Sequence, residues 1–281
     1  MKLAFSSFFI TKSGGVSLAF DLAHTRPHRA KVVFMPSGEL ILGDNHHENP
    51  SPRTQFLTKT LRSPLVEFQK RLQQNIKSLF EIPSGKHLPH LNLADAQNLP
   101  LEANTVDLIV TSPPYASNAI DYMRAHKFSL VWLGYTVDQL TSTRSYCIGG
   151  ENTASFSFEE LPPFTESIVV ELRQVDDKKA DVLHRYYSEM SRVLRSMYRV
   201  LKPRKTAILV VATSTMRNTD TQTQNCLAEI GREIGFDVPA IGVRYLDRNR
   251  RMMPAGITID HTSQIQQRMH EEFVLSFYKP S

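Results

Sequence analysis

Two cysteines, Cys147 and Cys226, are all that the 281 residues contain. That is too few for a disulfide framework or a cysteine zinc site, and a reducing cytoplasm is the expected location. The histidines lack metal-ligand spacing, so no metal is expected. No run approaches the roughly 18 consecutive apolar residues of a membrane span. The N-terminal MKLAFSSFFITKSGG carries a lysine and an apolar patch. Ser6 and Ser7 break the patch and no small-residue cleavage pattern follows, so export is not expected. Internal repeats and low-complexity tracts are also missing. Charge of one sign is only slightly in excess: 33 Lys and Arg against 28 Asp and Glu leave +5. A nucleic-acid partner suits that balance but is not required by it.

What is present describes a globular chain. Hydrophobic residues make up 41% and charged residues 22%, ordinary for a protein with a sizeable buried core. AKVVFMPSGELILGD reads as a β-hairpin turning at Pro36-Ser37-Gly38. Leu57, Leu61, Leu65, Phe68, Leu72, Ile76 and Leu79 recur every three or four positions, and Ser63-Pro64 suits a helix start. Beyond residue 90 strands and helices alternate. HLNLAD (90–95) reads as a short strand and VDLIVTS (106–112) as a buried one. A helix is expected over about 119–133, with Trp132 in the core, and a polar insertion over about 136–180. An amphipathic helix follows at 185–201, then the apolar strand TAILVVATS (206–214), of a kind buried on both faces. A helix at about 222–234 stops at Gly235, and DVPAIGVRYL (237–246) and EEFVLSFYK (271–279) read as the last strands. This alternation implies a parallel α/β sheet.

In such a sheet ligands bind beyond the carboxyl ends of the strands. Thr111-Ser112-Pro113-Pro114-Tyr115 lies at such an end. Two consecutive prolines have no N–H to donate and hold the chain extended. The chemistry that fits is methylation of an exocyclic amine of a nucleobase, whose lone pair is delocalised into the ring. The Ser112 Oγ and the Pro113 carbonyl can accept the two N–H groups and aim the lone pair at an electrophilic methyl. Pro114 keeps the corner rigid. Tyr115 offers a flat ring for a base flipped out of the duplex.

IVTSPPY resembles the catalytic motif of the amino-group DNA methyltransferases, in the form typical of enzymes acting on N4 of cytosine. Enzymes acting on N6 of adenine more often have Asp or Asn at the Ser112 position, so that alternative stays open. LADAQNLPLEANTVDLIV, RVLKPRKTAILVV and HEEFVLSFYK are similar to further segments of the family, over about residues 90–281. The resemblance implies the catalytic, C-terminal portion of a Rossmann-like class I methyltransferase sheet, of α/β class. It leaves 1–89 as an N-terminal α+β extension and 90–281 as the catalytic portion. It implies S-adenosylmethionine as cofactor, with Asp95 beside its adenine and Thr111 near it. Asp95 reads equally as a helix N-cap.

DNA is the implied partner. Candidates for contacting it are Asn118, Arg124 and Lys127 after the catalytic turn, and Arg248, Arg250 and Arg251 in an expected loop that also holds Arg244. The family's glycine-rich cofactor loop is missing, since none of the twelve glycines forms G-x-G. A second polypeptide supplying it, a longer parent chain and an atypical loop are the three explanations. Competing readings are an RNA amine methyltransferase and a non-catalytic nucleic-acid-binding subunit.

Overall fold

The apolar run Thr206–Val211 lies in the middle of the largest sheet, flanked on one side by the strand that carries the Ser-Pro-Pro-Tyr turn. The structure, a computed structural model, describes residues 1–7, 16, 32–42, 58–81, 85, 89–116, 122–245 and 271–281. These form two compact units, one of residues 1–90 with 121–142 and one of residues 91–120 with 143–281.

In the first unit a short helix α1 (Lys2–Ser6) lies against α2 (Pro64–Phe80). Ser63 is the N-cap of α2 and Pro64 begins it, as the sequence implies. The apolar stripe of α2 is not buried: no residue of the helix is, and Leu65, Leu79 and Phe80 are exposed. The expected hairpin is present as antiparallel β1 (Val32–Phe34) and β2 (Leu40–Leu42), with Gly38 at φ 88° in its turn. β3 (Thr58–Thr60) adds in parallel to the other edge of β1. Helix α3 (Tyr122–Trp132) closes at Gly134 and is followed by α4 (Val137–Tyr146). Trp132 is not core, since its side chain is 74% exposed.

The second unit is built on a four-stranded sheet in the order β4 (Val106–Thr111), β5 (Leu201–Val211), β9 (Glu271–Lys279), β8 (Ile241–Tyr245). The expected parallel sheet is instead mixed. β4 and β5 run parallel, whereas β9 is antiparallel to both of its neighbours. The chain reverses between β8 and β9 within one sheet, which strand–helix counting does not reveal. HLNLAD forms no strand: Leu91 and Leu93 are fully exposed, and only a 3-10 turn, Ala96–Asn98, follows.

Helices α6 (Asp177–Val200) and α7 (Thr223–Ile234) lie against one face of the sheet, and α5 (Pro163–Arg173) packs on both of them. Apolar residues at three- and four-residue spacing turn Leu183, Tyr187, Met190, Leu194 and Met197 of α6 into the core. They meet Ala207, Leu209 and Val211 of β5 and Leu275 and Phe277 of β9. Both strands place alternate residues on that face, as the two-residue period of a strand requires. Close packing also explains Gly231 of α7, where a Cβ would stand 2.3 Å from a ring carbon of Phe277.

β5 begins five residues earlier than its apolar run, and its pairing with β4 slips between Leu201 and Thr206. Arg204 sits in that irregular stretch at φ 61°, a left-handed conformation that favours glycine. The segment expected as a polar insertion is anchored to α6. Arg185 and Glu189 form a buried pair at 2.9 Å. Glu189 accepts from the Gly149 amide at 2.6 Å and Arg185 donates to the Ser145 carbonyl at 2.9 Å.

Candidate active site

β4 delivers the turn. Thr111 is its last residue, half-buried, and Ser112 that follows is exposed. Pro113, Pro114 and Tyr115 are half-buried and Ala116 is fully buried, which pins the far side of the turn in the core. β4 itself is not a buried strand: Leu108 and Val110 are 56% and 65% exposed.

Two consecutive tyrosines of α6 hold the loops that leave the two parallel strands. The Tyr186 hydroxyl donates to the Pro114 carbonyl at 3.0 Å, and the Tyr187 hydroxyl donates to the Thr221 carbonyl at 2.6 Å. Both rings are completely buried, 5.3 Å apart and edge to face. Burial pushes both phenols well above their ordinary range, so each stays protonated and able to donate. Pro114 has no N–H, yet its carbonyl still needs a partner once half-buried, and Tyr186 supplies it.

The chain leaves β5 into a tight hairpin, β6 (Thr215–Met216) and β7 (Thr219–Asp220), whose tip residues Arg217 and Asn218 both have positive φ. A hydroxyl chain closes its base. Thr221 Oγ1 lies 3.1 Å from Ser214 Oγ and 2.9 Å from Thr223 Oγ1, and Thr213 pairs with Asp220. Cys226 lies below, where burial pushes its thiol up to about 11 and keeps it from serving as a nucleophile.

The Tyr115 hydroxyl stands 3.4 Å from Glu272 Oε1 on β9. Glu272 also pairs with Arg244, its cross-strand neighbour. Arg244 thus belongs to β8 and not to the loop expected for it. Sequence reasoning singles out Ser112 to Tyr115 but not Tyr186, Tyr187 or Glu272, whose hydrogen bonds reach this turn and the loop after β5. The first two are hidden in a helix whose apolar stripe explains them as core, and an adjacent Tyr pair on such a stripe is a weak signal at best.

Asp95 is the N-cap of the 3-10 turn: its Oδ1 accepts from the Gln97 amide at 2.9 Å. Lys127 and His126 are exposed on α3. Arg124 lies on the same helix, but its side chain is outside the described residues, as are Asn118, Arg248, Arg250 and Arg251. Among the described residues no group of three or more His, Cys, Asp and Glu could hold a metal ion, and no helix is long and apolar enough to cross a membrane.

No family model matches the chain. It is similar to the Type II methyltransferase M.MvaI of Kocuria varians, 22% identical over 225 residues, which is 74% of this chain and 46% of that protein. The chain therefore spans about half the length of the curated relative it matches. Among solved structures it is similar to TTHA0409, a candidate DNA modification methylase from Thermus thermophilus. The selenomethionine form is 16% identical with a TM-score of 0.34 and covers 66% of this chain and 51% of that one. The form complexed with S-adenosyl-L-methionine is 16% identical with a TM-score of 0.33, over 67% and 54%.

Proposed function

We propose that the chain is the catalytic portion of a DNA methyltransferase that transfers a methyl group from S-adenosylmethionine to N4 of cytosine. The observation that carries this reading is the Ser112-Pro113-Pro114-Tyr115 turn at the carboxyl end of a strand in a parallel pair, clamped from below by Tyr186. The similarity to a Type II methyltransferase supports it.

Each residue of the turn then has a role. The exposed Ser112 Oγ and the Pro113 carbonyl accept the N–H groups of the target amine and orient its lone pair. Tyr115 receives the base on its ring, with its hydroxyl turned toward Glu272. Lys127, Arg124, Asn118, Arg248, Arg250 and Arg251 are the proposed contacts to the DNA backbone. The cofactor supplies the methyl group. This chain's own described residues fit it only in part. Thr111 ends the right strand, but the Asp95 carboxylate is occupied with its own turn, and no glycine of the sequence forms the G-x-G of a phosphate-type cradle. A second polypeptide, or the remainder of a longer one, supplies that cradle in this reading.

The test is incubation with isotope-labelled S-adenosylmethionine and mixed-sequence DNA, with and without a separately made cradle subunit, followed by mass spectrometry of the nucleosides. Labelled N4-methylcytosine is expected. Labelled N6-methyladenine alone would replace the target base, and preference for RNA in competition would replace the substrate.

A further inference from the structure

β9 runs antiparallel to β5, so its first residues lie at the carboxyl edge of β5, where Phe273 stands opposite Val211. Phe273, Leu275 and Phe277 face the helix-side core. The two-residue period of a strand therefore turns Glu272 to the opposite face. Its side chain is only 15% exposed. A carboxylate so far removed from water needs partners for its oxygens. Arg244, its cross-strand neighbour on β8, takes Oε2. Oε1 lies 3.4 Å from the Tyr115 hydroxyl. β5 stands between β4 and β9, so Tyr115 reaches Glu272 past the end of β5.

We infer that Glu272 is a positioning residue for the candidate site: it sets the plane of the Tyr115 ring through the phenol hydroxyl, and Arg244 sets the carboxylate. The inference rests on the methyltransferase reading for what the ring receives, a flipped nucleobase. A tyrosine ring turns about two side-chain bonds, the second of them broad in its preference, and a base stacks on it only when its face is presented. The turn fixes the near end of the ring, since Tyr186 holds the Pro114 carbonyl at 3.0 Å from the helix side. Glu272 fixes the far end from the opposite face. A bond to an ionised acceptor is stronger than one to a neutral acceptor, which suits a carboxylate to that task. The hydroxyl adds little to a stacking surface, so Tyr115→Phe isolates the tether from the stacking itself.

The test is a double-mutant cycle in the labelled S-adenosylmethionine assay on mixed-sequence DNA, with the full chain in its active assembly. Glu272→Ala and Tyr115→Phe should each slow methylation at limiting DNA by about fivefold to tenfold, the worth of one hydrogen bond. The double variant should lose no more than either single one, because both remove the same bond. Glu272→Gln keeps an acceptor and should recover most of the rate. Arg244 is 62% exposed and can turn to water when Glu272 is removed, so the fold does not depend on the pair. A second readout is independent of activity. The fluorine resonance of a fluorotyrosine placed at position 115 should move with Glu272→Ala and stay with Glu171→Ala, which removes an exposed carboxylate on α5. Additive losses, unchanged rates or an unmoved resonance overturn the inference. A resonance that moves in an assembly that methylates nothing would leave the tether standing and overturn the methyltransferase reading instead.

Discussion

Tyr186, buried in the middle of α6, donates its hydroxyl to the carbonyl of Pro114 at 3.0 Å, so the rigidity of the Ser-Pro-Pro-Tyr turn is set from inside the core and not by its prolines alone. Tyr186→Phe keeps the ring and removes the donor. The half-buried Pro114 carbonyl then loses its partner, at a cost of about 1–3 kcal/mol. The expected result is a modest fall in melting temperature and a lower kcat with little change in KM. A change in KM alone would mean that the bond helps binding and not orientation.

Ser112 is exposed and carries none of the fold, so its removal separates chemistry from stability. Ser112→Ala should leave the melting curve unchanged and slow methylation by on the order of a hundredfold, as for loss of one preorganised polar group. Tyr115→Ala should weaken engagement of the flipped base by about 1–3 kcal/mol of stacking. Wild-type methylation by both variants in the active assembly would favour a binding subunit that uses neither residue.

Arg185 and Glu189 are the one ion pair among the described residues with both side chains almost wholly buried, at 7% and 3% exposure. Burial raises the Glu189 carboxyl, against the opposing pull of the Gly149 amide and the Arg185 guanidinium. Breaking such a pair from one side leaves a buried charge alone. Glu189→Ala should cost about 3–5 kcal/mol, and Arg185→Met with Glu189→Leu clearly less. Chemical denaturation of the single and double variants checks this. Equal losses for the two would mean that the bonds to Ser145 and Gly149 matter more than the pairing.

Periodicity and turn chemistry make much of this fold legible. Pro64, Gly38 and Gly235 stand where a helix start, a hairpin turn and a helix end need them. Ser112 to Tyr115 stand out as a candidate because two consecutive prolines directly after an apolar strand are an unusual feature. Burial is where the pattern misleads. Leu108, Val110, Leu65 and Trp132 are apolar and so read as core, yet all are exposed. An apolar pattern records which faces are meant to be covered, not whether the same chain covers them. Sheet direction escapes for another reason, since β9 reverses with no change in its composition. Arg204 occupies at φ 61° a place where glycine is more usual, and nothing in the residue type announces it.

Gly231 gives a sharper packing test. The Cβ of Gly231→Ala would meet Phe277 at 2.3 and 2.6 Å, with that ring already edge-on to Phe236 at 5.5 Å and unable to swing freely. Overpacking of this kind costs about 1–3 kcal/mol, more than any gain in helix propensity. A fall of several degrees in melting temperature is expected. An unchanged melting temperature would show that α7 can shift on β9.

Asp176 gives the pH test. It caps α6 by accepting from the Lys179 amide at 3.1 Å, and Arg217 at the tip of the β6–β7 hairpin donates to it at 2.7 Å. The Arg217 bond first, and then the Lys179 amide, hold its carboxyl below the ordinary aspartate range. A carboxyl depressed in the folded state stabilises fully above its unfolded value, about 3.9, and loses that contribution as pH falls through the lower folded value. Asp176→Asn keeps a cap acceptor and removes the charge. The stability gap between wild type and variant should therefore be constant from neutral pH to about pH 5, then close on further acidification. Arg217→Gln should remove most of the same pH dependence. A gap that persists unchanged to about pH 2 would mean that the difference between the two does not come from the Asp176 charge and its pairing with Arg217.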